Sequence, residues 1–261
     1  YMYICGVTVY DHSHLGHALS SIVFDVLYRY LRFKGYSVKK VQNFTDIDDK
    51  IINKALQEKT SSEVISEKYI NSFFQSIDGL NVLRSDAHPR ATEDMDEIIK
   101  FIENLIDKGY AYESSGSVYF NVKKFHDYGK LSGNIHNEEY KSSRIDKNHN
   151  KKYINDFALW KISNSGEPFW DSPWGKGRPG WHIECSAMVK KHLGDQIDIH
   201  GGGMDLIFPH HENEIAQSEC FSSKKPFVKY WMHNGMLRVK GAEMSKSLGN
   251  TFSINEALKR F

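Results

Sequence analysis

Residues 5–17 of the chain read Cys5-Gly6-Val7-Thr8-Val9-Tyr10-Asp11-His12-Ser13-His14-Leu15-Gly16-His17. An apolar run from Met2 to Val9 comes first and is typical of a β-strand. A helical pattern comes directly after it, because apolar residues recur three and four positions apart at Leu15, Ala18, Leu19, Ile22, Val23, Val26, Leu27, Tyr30 and Leu31. We expect these positions to form one buried stripe.

The turn between this strand and this helix predicts a phosphate-binding site. A strand that enters a helix through a tight polar turn directs backbone N–H groups and the positive end of the helix dipole at that turn. His14 and His17 lie three residues apart and therefore share one helical face. Gly16 lets a ligand approach the backbone closely.

The composition limits the class of protein. The 261 residues are 40% hydrophobic and 26% charged, as is ordinary for a soluble globular enzyme, and the net charge of +1 favours no class of partner. No run of about 18 apolar residues occurs, so we expect no membrane span. No signal peptide is visible, but the chain opens inside a predicted strand, so its natural N-terminus can lie further upstream. We expect a cytoplasmic protein. Three cysteines, Cys5, Cys185 and Cys220, indicate metal or catalytic use in a reducing compartment rather than a disulfide framework.

The order of predicted elements indicates an α/β fold with an insertion. A second strand at residues 37–44 completes a strand–helix–strand unit, whose long crossover predicts parallel strands. Near residue 110 the pattern changes, and two β-type runs around Ser114-Ser115-Gly116-Ser117 predict a hairpin. Residues 134–156 are polar and predict an exposed loop, whose basic residues are more typical of a solvated surface than of phosphate contacts. We interpret residues 96–175 as the insertion.

Two further helices are predicted to have a structural role. Thr60 and Glu63 fit a capping box at the start of one of them. Thr92 is expected to cap the next helix, and Gly109 is expected to end it.

Two segments at predicted strand ends are candidate ligand-binding sites. Residues 43–50 carry Thr45 and three aspartates where ligands bind in open α/β sheets, but aspartates are as typical of a helix start. A short strand predicted at residues 197–200 leads into Gly201-Gly202-Gly203, with Asp205 two positions later. Glycines after a strand let a nucleotide approach the backbone, and an aspartate in this place can accept hydrogen bonds from ribose hydroxyls. The alternative interpretation of these glycines is a plain turn.

His210 and Glu214 are a candidate pair of metal ligands. They lie four residues apart on a predicted helix, which suits zinc, although a solvent-facing pair is the simpler interpretation by itself. Cys5 and Cys185 strengthen the zinc interpretation, since thiolates are preferred zinc ligands and both lie beside candidate site segments.

Residues 240–250 are small, polar and flanked by glycine. This composition is compatible with a mobile loop that carries an anion-binding lysine, and it is also compatible with a surface turn.

Taken together, the motifs resemble those of the cysteinyl-tRNA synthetases, a family of class I aminoacyl-tRNA synthetases. The resemblance extends over nearly the whole chain. The matching motifs are Cys5-Gly6-x-Thr8-Val9-Tyr10-Asp11, His14-Leu15-Gly16-His17, Asn43-x-Thr45-Asp46-x-Asp48-Asp49-Lys50, Arg178-Pro179-Gly180-Trp181-His182-Ile183-Glu184-Cys185-Ser186, His200-Gly201-Gly202-Gly203-x-Asp205-Leu206-x-Phe208-Pro209-His210-His211-Glu212-Asn213-Glu214 and Met244-Ser245-Lys246-Ser247.

The resemblance implies a Rossmann-like, parallel-sheet nucleotide-binding domain that is split by a connective insertion. The implied parts are residues 1–95 and 176–240 for the two halves of the catalytic domain, 96–175 for the insertion, and 241–261 for the signature loop and the start of the stem-contact region. Because family members are longer and carry an anticodon-binding domain that is absent here, we expect a catalytic fragment. It should act as a monomer and activate cysteine, but should not charge tRNA efficiently alone.

The resemblance also implies roles for individual residues. One zinc ion is held by Cys5, Cys185, His210 and Glu214. ATP, accompanied by Mg²⁺, is bound by His14, His17, Gly203, Asp205 and Lys246, of which His14, His17 and Lys246 are catalytic. The amino-acid pocket is lined by Thr45 and Trp181. Cys220 matches no ligand position and is expected to be an ordinary buried or partly buried thiol.

The implied reaction joins L-cysteine to tRNA(Cys) in two steps. ATP and cysteine first give cysteinyl-adenylate and pyrophosphate, and the cysteinyl group then passes to the 3′-terminal adenosine. Zinc would take the substrate sulfur as its thiolate, which the hydroxyl of serine cannot replace. We therefore expect strong rejection of serine without an editing domain, whereas a zinc that only holds the fold is the alternative.

The sequence departs from the family pattern at one position of the signature loop. Glu243 occupies the place of the usual first lysine of this loop, and Lys240 is the candidate to replace that contact.

Three other functions are compatible with some of these motifs. The nearest alternative is a cysteine ligase of the mycothiol pathway, which transfers cysteine to an amino-sugar. A nucleotidylyltransferase would share the His-x-Gly-His turn but not the zinc positions. A non-catalytic synthetase-like binding module is the third.

Overall fold

The computed structural model describes residues 1–133, 150–239, 242–243 and 251–260. Its strands are β1 (Met2–Thr8), β2 (Lys40–Thr45), β3 (Ala111–Ser114), β4 (Ser117–Phe120), β5 (Phe157–Ile162), β6 (Gly177–Pro179), β7 (Ile197–Gly203), β8 (Val228–Asn234), β9 (Arg238–Val239) and β10 (Ala242–Glu243). Its helices are α1 (Leu15–Phe33), α2 (Asp49–Glu58), α3 (Ser62–Gly79), α4 (Met95–Asp107), α5 (Trp181–Leu193), α6 (Glu212–Ser222) and α7 (Ile254–Arg260). None of the helices in these described ranges is long and apolar enough to cross a membrane.

The chain divides into two compact units, which are described separately. The first unit comprises Tyr1–Arg90, Asp198–Asp205 and Tyr230–Phe261. The second unit comprises Ala91–Ile197 and Leu206–Lys229.

The first unit is built on a four-stranded sheet in the order β2-β1-β7-β8. β1 runs parallel to both of its neighbours, which confirms the predicted parallel strand–helix–strand unit. β2 begins at Lys40 rather than at residue 37, because pairing starts opposite Met2, where β1 begins. Parallel bridges from β2 to Ala87 and Arg90 add a further edge segment.

α1 begins directly after the histidine turn, as predicted, but its predicted buried stripe is confirmed only in part. Ala18 is buried, and Leu27 and Leu31 pack against the core. Ile22, Val26 and Tyr30 are 41%, 60% and 57% exposed. The face that packs on the sheet carries Phe24 and Tyr28, which form a core cluster with residues of β1. Apolar residues occur on both faces of this helix, so their spacing alone did not identify the face that the sheet covers.

β7 also differs from the prediction, because the strand continues through the three glycines to Gly203 instead of ending at residue 200. A Cβ atom at Gly201 would lie 2.2 Å from the ring of Phe24. Gly201 is therefore required by the close packing of α1 on the sheet, and this glycine is part of the fold rather than of a loop after the strand.

The start signals of two helices were predicted at the wrong residues. The N-cap of α3 is Ser61, whose side chain accepts a hydrogen bond from the Val64 backbone at 3.3 Å. Thr60 instead closes the preceding helix, because its N–H donates to the Ala55 carbonyl at 3.0 Å. α4 begins after Asp94 and not after Thr92.

The second unit combines a four-stranded antiparallel sheet, in the order β3-β4-β5-β6, with helices α4, α5 and α6. The predicted hairpin is confirmed: β3 and β4 pair across a turn in which Ser115 and Gly116 have φ values of 53° and 76°. Phe101 of α4 stacks on Phe221 of α6 with ring centroids 4.0 Å apart. Of the predicted polar loop, residues 134–149 lie outside the described residues.

The edge of the first unit's sheet holds a histidine whose protonation is linked to folding. His88 stacks on Phe44, its Nδ1 lies 3.0 Å from the Gln42 carbonyl, and its Nε2 accepts from the Ser85 N–H at 3.2 Å. Burial is the main cause that lowers the pKa of His88 from 6.5 to about 4. The ring is therefore neutral in the folded protein at neutral pH.

We expect the free energy of unfolding to fall as the pH is lowered from about 6.5 to about 4, because the unfolded chain then binds a proton that the folded His88 does not. The contribution is at most about 1.4 kcal/mol per pH unit. Urea denaturation across this pH range measures it. In His88→Asn, which keeps a donor near Nδ1, the slope should be smaller, and an unchanged slope would contradict the assignment.

Candidate functional site

The histidine turn of the first unit has the geometry of an anion-binding helix terminus. His14 is the N-cap of α1, and its Nδ1 accepts a hydrogen bond from the Gly16 N–H at 3.1 Å. The N–H of His14 in turn donates to Nδ1 of His17 at 3.2 Å, and the two rings stack with centroids 3.9 Å apart. Because both Nδ1 atoms accept, each neutral ring carries its hydrogen on Nε2, where it can donate to an anionic oxygen.

The segment on the C-terminal side of the predicted signature loop is attached to this turn. The Leu15 N–H donates to the Phe252 carbonyl and the Ile254 N–H donates to the Ser13 carbonyl, both at 3.0 Å. A side-chain hydroxyl and a carboxylate at Ser253 and Glu256 then cap the start of α7. Lys246 itself lies outside the described residues.

Other predicted ligand-binding residues of the first unit lie at strand ends. Thr45 is buried at the end of β2. Gly203 ends β7, and a Cβ atom there would lie 2.4 Å from Oδ1 of Asp205, so the glycine makes room for that exposed carboxylate. Asp48 is the N-cap of α2 and accepts from the Lys50 N–H at 2.8 Å, which supports the helix-start interpretation for this aspartate.

The second unit brings three of the four predicted zinc ligands together. Cys185 lies in the second turn of α5, His210 lies two residues before the start of α6, and Glu214 lies in the first turn of α6. All three are at least 97% buried. One donor atom from each lies within 4.8 Å of the others, and His210 Nε2 is 3.0 Å from Glu214 Oε1. Cys5, the fourth predicted ligand, lies on β1 of the first unit and is half-buried.

The electrostatics of this cluster suit a cation. Burial disfavours the protonated form of His210, but hydrogen bonds with Cys185 and Glu214 outweigh it and raise the pKa of His210 to about 10. The sulfur of Cys185 and the carboxylate of Glu214 therefore favour a positive charge at this position. Cysteine, histidine and glutamate are ligands that zinc prefers, so the residues present fit a zinc ion that replaces this proton.

Two residues that the sequence interpretation missed support the cluster. His182, one turn before Cys185, places its Nδ1 3.0 Å from Nδ1 of His210. Burial, and secondly His210, hold the pKa of His182 well below its ordinary value. Gln217, one turn after Glu214, donates to the His182 carbonyl at 2.9 Å and to the Ser186 hydroxyl at 2.8 Å. Each lies three residues from a predicted ligand on the same helix, and this spacing is a signal that could have identified them.

Glu212 and Asn213, which lie between His210 and Glu214 in the sequence, have a structural role. Glu212 is fully buried and accepts hydrogen bonds from the backbone N–H groups of Gly129, Leu131 and Ser132 at 2.9–3.1 Å. Asn213 accepts from the Tyr128 hydroxyl at 2.5 Å. These two residues attach the segment before the polar loop to α6.

Two more predictions concern other residues of the second unit. Trp181 was predicted to line the amino-acid pocket. The centroid of its ring lies 4.4 Å from the centroid of the His210 ring. Cys220 is 4% exposed, and burial is the main cause that raises the pKa of its thiol to about 12. The predicted burial of this thiol is therefore confirmed.

Comparison of the sequence with known proteins gives the family. The family described as tRNA synthetases class I (C) catalytic domain matches residues 1–261. A cysteine–tRNA ligase of Dehalococcoides mccartyi is 56% identical over 260 residues, and one of Thermodesulfovibrio yellowstonii is 58% identical over 261 residues. These alignments cover 100% and 98% of this chain but only 57% and 53% of the two relatives, so the chain spans little more than half of their length.

Comparison with solved structures shows the same fold. The methionyl-tRNA synthetase of Mycobacterium tuberculosis in complex with methionyl-adenylate matches with a TM-score of 0.74 at 17% identity, over 100% of this chain and 61% of that one. This likeness confirms the predicted Rossmann-like α/β fold. The family match over residues 1–261, with relatives at 56–58% identity, establishes that the chain belongs to the family of class I (C) tRNA synthetase catalytic domains.

Proposed function

We propose that the chain is the catalytic part of a cysteine–tRNA ligase. It activates L-cysteine with ATP to cysteinyl-adenylate and transfers the cysteinyl group to the 3′-terminal adenosine of tRNA(Cys). The observation that carries the proposal is the buried Cys185–His210–Glu214 cluster, in a chain that is 56–58% identical to two cysteine–tRNA ligases.

The first unit would bind ATP, with its accompanying Mg²⁺. His14 and His17 donate from Nε2 to the phosphates, and the N-terminal N–H groups of α1 add the positive end of the helix dipole. Such donors stabilise the charge that develops on the phosphates in the transition state. Gly203 and Asp205 would hold the ribose, and Lys246 would close over the pyrophosphate. The nucleophile is the carboxylate of cysteine, so no covalent enzyme intermediate is needed.

The selection of cysteine would depend on zinc held by Cys185, His210 and Glu214, with Cys5 as the fourth ligand. When bound, zinc supplies a Lewis acid that prefers a thiolate to a hydroxyl. The ring of Trp181 beside His210 would give the amino-acid pocket an apolar wall, with Thr45 as a second lining residue. A dedicated contact of this kind discriminates far more strongly than the loss of one methylene, which is worth about 1–3 kcal/mol.

The wider organisation is part of the same proposal. The catalytic domain would be formed by residues 1–95 and 176–240, with 96–175 as a connective insertion and 241–261 as the signature loop and the start of the stem-contact region. We propose that the protein acts as a monomer in the cytoplasm.

Zinc-loaded protein should catalyse ATP–pyrophosphate exchange that depends on cysteine. With serine, kcat/KM should be roughly 10⁴-fold lower, because the metal contact has no equivalent. A zinc chelator, or Cys185→Ser, should remove the activity with cysteine. Absence of exchange with folded, zinc-loaded protein would contradict the proposal, and equal exchange with serine would contradict the role of zinc in selection. Transfer of activated cysteine to an amino-sugar instead of tRNA would assign the chain to the mycothiol-type ligases.

The role of the histidine turn can be separated from its capping role by His14→Asn. Asparagine is a good N-cap residue, so stability should change by less than about 1 kcal/mol. The exchange rate should fall by roughly 10²-fold, because a donor to the developing charge is lost. His12→Asn, two residues away and exposed, is the matched control and should stay within a few-fold of the unchanged protein. Equal rates for the two variants would exclude His14 from catalysis.

A further inference from the structure

We propose that His182 is a positioning residue that sets the ring orientation and the tautomer of His210, so that His210 presents Nε2 to the metal. The inference rests on the proposed zinc site and names a residue outside its four ligands. His182 touches neither the substrate nor the reacting atoms in this proposal and acts only through His210.

The two nitrogen atoms of His210 have different neighbours. Nε2 lies 3.0 Å from Oε1 of Glu214, whose carboxylate is one of the proposed ligands. Nδ1 lies 3.0 Å from Nδ1 of His182. The ring is therefore held at both of its nitrogens, by α6 on one side and by α5 on the other.

A contact between two ring nitrogens needs one donor and one acceptor. When Nε2 of His210 gives its lone pair to a metal, the hydrogen of the neutral ring must be on Nδ1. Nδ1 of His182 must then be the acceptor, and the hydrogen of His182 must be on its own Nε2. The contact thus selects one tautomer for each ring.

His182 is itself fixed firmly enough to do this. Its backbone carbonyl accepts a hydrogen bond from Gln217 at 2.9 Å, which ties the first turn of α5 to α6. The ring of Phe157 meets its ring nearly at a right angle, with centroids 5.6 Å apart. The aromatic ring of Trp181 packs on His210 from the same end of α5.

A histidine is an unusual partner for this task. Metal-binding histidines mostly donate to a carboxylate, a backbone carbonyl or water, and loss of such a partner commonly weakens metal binding 10–100-fold. A neutral imidazole orients the ring but adds no negative charge beside the ligand. We therefore expect an effect near the lower end of that range.

Competition with a chromophoric chelator measures the zinc affinity of the whole chain and its variants. His182→Phe removes the acceptor and should weaken zinc binding about tenfold. His182→Asn places Oδ1 close to the position of Nδ1 and should keep the affinity within about threefold. His192→Phe is the matched control, because His192 lies on the same helix but pairs with Asp94 at 3.0 Å, and it should leave the affinity unchanged.

A second measurement needs no substitution. In ¹H–¹⁵N spectra of the zinc-loaded protein, His210 should carry its hydrogen on Nδ1 and His182 should carry its hydrogen on Nε2. Wild-type affinity in His182→Phe, equal weakening by Phe and Asn, or a hydrogen on Nδ1 of His182 would each overturn the proposal. Failure of the unchanged protein to bind zinc would instead overturn the zinc site of the proposed function.

Discussion

Glu214 carries a carboxylate that is fully shielded from water, and such a group is costly to bury unless charged or hydrogen-bonding partners compensate it. His210 and Cys185 are those partners, and they come from the segment before α6 and from α5. The two helices must therefore keep a fixed register. Gln217 enforces that register with two hydrogen bonds to α5, and Glu212 attaches a loop of the second unit to the same end of α6.

The two units carry candidate sites of different chemistry. In the first unit, β1 and α1 meet at a turn where the fold itself supplies the N–H groups and the stacked imidazoles for an anion. The parallel sheet behind it and the glycine at position 201, which admits Phe24, hold α1 against the strands. In the second unit, the donor set is a buried thiol, imidazole and carboxylate, which suits zinc. The proposed reaction needs both sites, since one handles phosphate and the other recognises sulfur.

The sequence alone predicted the local structure correctly where a single spacing rule determines it. The strand–turn–helix at residues 2–33, the hairpin at Gly116 and the pairing of His210 with Glu214 all agree with spacing rules that act within a few residues. The exposed face of α1 was misjudged because both faces are apolar, and Thr60 was misjudged because the preceding helix uses its N–H. His182 was missed because its partner lies 28 residues away, and no periodicity encodes such a contact.

X-ray absorption at the zinc K-edge, on zinc-loaded protein with and without amino acid, tests most directly whether these buried donors bind a zinc ion that recognises cysteine through sulfur. Two sulfur neighbours at about 2.3 Å, from Cys5 and Cys185, are expected without substrate. The number should rise to three with cysteine and stay at two with serine. A number of sulfur neighbours that does not change when cysteine is added, or a zinc ion without sulfur neighbours, would contradict the proposed recognition of cysteine by zinc.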